Sequence, residues 1–104
     1  MRIISQNGNV DLPYEKALIF HAMETVLARC EGYDKEIVLG EYSSMKKAYK
    51  AMEMLREHHE KVAFLKTIIN TEKGALFIRG LSETVFDKMT QNYFQFPKDN
   101  EVEV

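Results

Sequence analysis

Few side chains in this sequence are suited to acid–base or nucleophilic chemistry. Apart from carboxylates and hydroxyls they are His21, His58, His59 and Cys30. His58 and His59 are adjacent, so on a helix their rings diverge by about 100° and lack the i, i+4 spacing of a two-histidine metal site. A single cysteine supplies no second thiolate for zinc and no internal disulfide. It is read as a small buried apolar residue of a protein kept in a reducing compartment. There is no Gly-x-Gly-x-x-Gly fingerprint, no phosphate-binding loop ending in Gly-Lys-Ser/Thr and no nucleophile elbow. The expectation is a protein that is not an enzyme, with no catalytic residue, no metal and no cofactor.

Anion recognition is the chemistry the remaining residues favour. The arginines are Arg2, Arg29, Arg56 and Arg79. A guanidinium suits phosphate because its planar fork gives paired, charge-assisted hydrogen bonds. Arg29, Arg56 and Arg79 are candidate ligand contacts, each with a salt bridge as its plain alternative. Lys46 and Lys47 sit where a helix is about to begin, beside Ser43 and Ser44. A helix N-terminus with hydroxyls and lysines can take a phosphate, although a solvated basic face has the same composition. Asn92, Tyr93 and Phe94 could read and stack a base; a Phe94-x-Phe96 alternation is also how a core strand reads.

These groups must be positioned by the elements the pattern implies. Residues 2–6 and 9–12 read as strands around the turn signal Asn7-Gly8, with Pro13 confining the second to an edge or bulge. Residues 17–23, 25–30 and 36–42 read as further strands, the first apolar on both faces: Leu18, Phe20 and Ala22 on one, Ala17, Ile19 and His21 on the other. A helix over 15–30 is the rival reading. A helix then starts near Ser43, its expected N-cap, with apolar residues at Met45, Ala48, Tyr49, Met52 and Leu55. That arc centres near Met52 and contains Arg56 at roughly 40° from the centre. Its charges run against the macrodipole, with Lys46 and Lys47 in the first turn and Glu57 and Glu60 late. Lys46/Lys50 and Glu53/Glu57 are also like-charge i, i+4 pairs. After Lys61 the apolar phase changes, so the helix either breaks at 59–61 or carries a second apolar face. Glu83 to about Thr90 reads as another helix, Tyr93–Phe96 as a strand, and the acidic tail from Lys98 as loosely held. The fold class is α+β: an N-terminal antiparallel β-meander, a central amphipathic helix, and a helical C-terminal part ending in a short strand.

At 104 residues the chain reads as a single domain, 1–104. A net charge of −2 argues against general binding of DNA or RNA. No apolar run approaches a membrane span, and the first residues are too short in apolar content for a signal peptide, so a cytoplasmic protein is expected.

Three blocks resemble a family of small phage and prophage proteins of Gram-positive bacteria. They are Met1-Arg2-Ile3-Ile4-Ser5-Gln6-Asn7-Gly8 with Asp11-Leu12-Pro13-Tyr14-Glu15, then Glu41-Tyr42-Ser43 with Lys47 to Glu57, then Phe94 to Val104. Together they cover roughly half the chain; residues 16–40 and 58–92 carry no such likeness. Family members often bear acidic residues after the helix-capping position, where this chain has Ser44-Met45-Lys46. The family is similar to the anti-Thoeris sponge proteins. That resemblance implies an antiparallel sheet followed by helices that interlock between subunits. It implies a homo-oligomer in the host cytoplasm that sequesters cyclic ADP-ribose isomers made by a host TIR-domain protein, or cyclic oligonucleotides. Sequestration requires phosphate-binding arginines or amides and an aromatic for adenine, and no catalytic group. The alternatives are a phage inhibitor that contacts a host defence protein directly, its acidic tail imitating nucleic acid, and a phage structural accessory.

Overall fold

Pro13 divides the N-terminal strands between two sheets. The computed structural model describes residues 1–69 and 92–104. In it β1 (Arg2–Ile4) pairs antiparallel with β2 (Asp11–Pro13), Ile3 opposite Leu12. Pro13 has no N–H to extend that ladder. A 3₁₀ turn at Tyr14–Lys16 then carries the chain to the second sheet. There β3 (Ala17–Ala22), β4 (Thr25–Cys30) and β5 (Ile37–Glu41) form an antiparallel meander in the order β3-β4-β5. The helix α1 runs from Met45 to Ile69. Near the end of the chain β6 (Tyr93–Gln95) adds to the first sheet beside β1, giving β2-β1-β6. This last pairing is parallel, with Phe94 opposite Ile3. The helix expected over 83–90 lies outside the described residues.

The turns differ in detail from their sequence signals. Asn7-Gly8 is not a two-residue hairpin. Gly8 alone of the pair has a positive φ, 79°, and the loop is held by Asn7. Its Oδ1 accepts from the Ser5 hydroxyl at 2.7 Å and from the Asn9 N–H at 3.0 Å. The tight hairpin is instead the β3–β4 turn, where Ala22 faces Thr25 across Met23 and Glu24. Met23 adopts a φ of 55° there. An L-residue in this left-handed region costs about 1–2 kcal/mol, and the absence of glycine or asparagine is why the turn was not a strong signal.

A single cluster of buried side chains joins both sheets and the helix. Ile3, Leu12, Phe94, Phe96 and Val102 come from the first sheet and the tail. Val26, Ala28, Cys30 and Leu39 come from the inner face of the second sheet, with Tyr42 just after it; Ala48, Ala51 and Leu55 come from α1. The tail expected to be loose is therefore docked, with Val102 only 3% exposed. The buried stripe of α1 is also displaced from its expected position. It is centred on Ala48, Ala51 and Leu55, roughly 60° around the helix from Met52. Met45 and Tyr49 are exposed, and so is Arg56, which belongs to no core arc. The helix does not break at 59–61; it is continuous, and Val62 and Leu65 are buried further along it.

The two sheets meet at a β-bulge. Val26 faces Gly40 and Leu27 faces Val38, leaving Leu39 as the extra residue of β5. The freed Leu39 carbonyl accepts from the Gln6 N–H at 2.7 Å. Gly40 has no positive φ, but a Cβ there would lie 3.0 Å from Tyr42 Cε2 and 3.2 Å from its hydroxyl. That ring is not free to move away, since the Tyr42 hydroxyl donates to the Pro97 carbonyl at 2.8 Å. Gly40→Ala is therefore expected to cost about 1–3 kcal/mol through overpacking. Urea unfolding measures it. An unchanged midpoint in Gly40→Ala would mean that the ring yields freely.

Candidate functional site

The N-terminus of α1 is already occupied by the chain's own carboxylate. Ser44, not Ser43, caps the helix: its hydroxyl accepts from the Lys47 N–H at 3.2 Å. The Ser43 N–H donates to Asp99 Oδ1 at 2.7 Å, and Lys47 Nζ donates to the Asp99 carbonyl at 3.0 Å. The Ser43 amide first, and then Lys47, hold the Asp99 carboxyl below its ordinary range. Lys47, expected as a ligand contact, thus binds an internal anion. Two of the tail's acids are engaged within the chain, Asp99 here and Glu101 as acceptor of the Lys98 N–H at 2.9 Å. Nearby, burial pushes the Tyr42 phenol well above its usual range, which keeps it a donor.

Other candidates are separated in space. Arg29 donates through Nη2 to Glu36 Oε1 at 2.6 Å and lies 5.7 Å from the Phe20 ring centroid. It stands opposite Leu18 on the outer face of the second sheet. Asn92 accepts the Arg2 N–H through its carbonyl, and Tyr93 stands beside Arg2 on the first sheet. Phe94 is buried edge-on against Phe96, so its ring is core and not a stacking platform. Arg79 lies outside the described residues.

What the fold does bring together is a seam between β3 and one flank of α1. The chain directions oppose. Tyr14 stacks on His59 at 4.4 Å, and further along His21 meets Tyr49 edge-on at 6.3 Å. Two hollows lie along this seam. One, of about 500 Å³, sits among Tyr14, Ile19, Met52 and Arg56. The other, of about 480 Å³, sits among His21, Met45, Lys46, Tyr49 and Lys50. A third hollow of about 200 Å³, beside Gln6 and Glu41, is lined by no cation. The Arg56 guanidinium lies 6.0 Å from the Tyr49 ring centroid, within reach of a cation–π contact. Lys50 has an exposed pair with Glu53 at 3.6 Å. Among the described residues Lys46 and Arg56 form no ion pair. A half-exposed aromatic ring bordered by cations is therefore the most ligand-like arrangement present. It contains Arg56 and Lys46 from the expected set. It also contains Tyr49 and His21, whose sequence spacing points to the apolar face of the helix and to a strand. The spacing of Lys46, Tyr49, Lys50, Glu53 and Arg56 at i, i+3, i+4, i+7 and i+10 was the available signal.

Among the described residues no group of three or more His, Cys, Asp or Glu side chains could hold a metal ion. No helix among them is long and apolar enough to cross a membrane. No protein-family model, no curated protein and no solved structure matches the chain.

The Asp99 contact predicts a pH dependence. A carboxylate with a depressed folded pKa stabilises above its unfolded value, near about 4, and that contribution is lost as pH falls through the folded value. Asp99→Asn should lower Tm at neutral pH, with the gap from the unsubstituted protein closing below about pH 4. Glu15, held low by the N-terminal ammonium, titrates in both proteins and cancels. Thermal melts across this range test it. A gap of constant size would show that charge is not the cause.

Proposed function

We propose that the chain is a non-enzymatic phage anti-defence protein that captures a cyclic nucleotide immune signal, a cyclic ADP-ribose isomer or a cyclic oligonucleotide, and withholds it from its receptor. The observation that carries this reading is the Tyr49 ring, half-exposed beside a hollow of about 480 Å³ and flanked by Lys46, Lys50 and Arg56. A purine needs a flat apolar partner, and stacking on an aromatic ring contributes about 1–3 kcal/mol. The phosphates need cations that are not already neutralised, and Arg56 and Lys46 meet that requirement among the described residues. His21, edge-on to Tyr49, offers a hydrogen-bonding edge. The three sequence blocks that resemble the sponge family support the same reading. Capture requires no bond to be made or broken, so the ligand should leave chemically unchanged when the protein unfolds.

Isothermal titration with cyclic ADP-ribose isomers tests the proposal. Tyr49→Ala and Arg56→Ala should each weaken binding at least about ten-fold, the loss of one stacking or one charged hydrogen-bond contact. Both side chains are exposed, so the circular dichroism spectrum should not change. Heating the loaded protein should return intact nucleotide. Absence of heat, together with absence of a thermal shift at saturating nucleotide, would remove this reading.

A further inference from the structure

His21 stands opposite Val26 on the β3–β4 ladder, and Val26 is fully buried in the core that the second sheet shares with α1. Directly opposed residues share a face of the sheet. The imidazole therefore lies on the helix side, at the end of the seam that holds Tyr49. There it lines the hollow of about 480 Å³ together with Lys46, Tyr49, Lys50 and Glu53.

The two ring nitrogens of His21 have different roles. Nδ1 lies 3.3 Å from the Met23 carbonyl, in hydrogen-bonding geometry. A carbonyl only accepts, so Nδ1 carries the proton, and in the neutral ring Nε2 is left as a bare acceptor. The carbonyl that sets this tautomer is itself held in place. It belongs to the residue of the tight β3–β4 turn with a φ of 55°. The next residue pins that turn, since the Glu24 carbonyl accepts the Tyr42 N–H at 2.9 Å. Tyr42 is buried, and its hydroxyl is bonded to Pro97. Nε2 thus supplies a neutral acceptor with a fixed orientation. Around it Lys46 and Lys50 only donate, and the Glu53 carboxylate pairs with Lys50 at 3.6 Å.

We infer that His21 determines which base the hollow accepts: Nε2 takes a hydrogen bond from the exocyclic amino group of a base stacked on Tyr49, so adenine is favoured over its 6-oxo counterpart, hypoxanthine. The inference rests on the nucleotide reading and adds the residue that makes the site selective. The ring geometry suits it. The imidazole and the Tyr49 ring meet at 80°, with centroids 6.3 Å apart. A base parallel to Tyr49 crosses the imidazole plane at the same angle, and a hydrogen bond along the line where the planes cross needs no coplanarity. A 6-oxo group there sets a second lone pair against Nε2 with no proton between them, and leaves both acceptors unpaired. The cations do not share in this choice. They meet the phosphates of either nucleotide, which gives affinity and register without reading the base.

Two measurements test it. Long-range ¹H–¹⁵N spectra of the ligand-free protein in mildly alkaline buffer should show His21 protonated on Nδ1 and bare on Nε2. Isothermal titration then compares a cyclic ADP-ribose isomer whose 6-amino group is free with its hypoxanthine analogue. The amino form should bind at least about ten-fold more tightly. In His21→Gln the side-chain amide can turn to present either an acceptor or a donor, so affinity for the amino form should be kept while the preference falls to within about two-fold. Arg56→Ala, by contrast, should weaken both nucleotides by the same factor. A proton on Nε2, equal binding of the two nucleotides, or an undiminished preference in His21→Gln would overturn the inference and leave the ligand reading standing. Failure of both nucleotides to bind would remove the ligand reading and the inference with it.

Discussion

Gln6 is the point on which the two sheets and the chain terminus depend. Its N–H donates to the carbonyl that the β5 bulge leaves free. Its side-chain oxygen accepts the Glu41 N–H at 3.1 Å, and its side-chain nitrogen donates to the carbonyls of Glu41 at 3.2 Å and Pro97 at 3.1 Å. One amide thus satisfies backbone groups of the second sheet and of the tail from a residue at the end of β1. Each such bond contributes only about 0.5–1.5 kcal/mol net, but leaving these groups unpaired in a partly buried junction costs more. Each sheet has only three strands, and both contribute buried side chains to one shared cluster. Joining them turns two small faces into one core against α1.

The tail completes that junction. Pro97 presents its carbonyl to both Gln6 and Tyr42, Phe96 fills the interior, and Asp99 meets the start of α1. These contacts span nearly the whole sequence, from Gln6 to Pro97, so local pattern cannot reveal them. The acidic composition of residues 99–103 reads as a solvated end. What reverses that reading is one buried valine and one carboxylate aimed at an amide and Lys47, both features of tertiary placement.

Much of the framework was nevertheless legible. Strand positions from Arg2 to Glu41 match the expected runs: Pro13 and the turn signals that bracket short segments are local and steric, whereas residues 17–30, apolar on both faces at first, also admitted a helix. The continuous helix was one of two readings of the phase change after Lys61, and periodicity alone could not choose between them. The candidate site was only half legible. Arg56 and Lys46 stood out as charges without an evident reason, whereas Phe94, chosen as a stacking ring, is core. Its burial depends on β6 pairing in parallel with β1, a contact between the two ends of the chain.

The displaced helix stripe shows why large apolar residues mislead. Summed hydrophobicity points toward Met45, Tyr49 and Met52 because they carry the most apolar surface. The interior selects instead for fit. Where two sheets converge on a helix the backbone must approach closely, and Ala48 and Ala51, both fully buried, allow this at little cost in side-chain entropy. The larger residues are left on the flank. A lone soluble helix would carry polar residues there, since exposed apolar surface gives no folding stability and favours association. Here the flank keeps methionine and tyrosine and is bordered by charges ordered against the helix dipole. Packing among the described residues accounts for neither choice. The proposed capture of a nucleotide would account for both, through a ring stacked on Tyr49 and an anion beside Arg56.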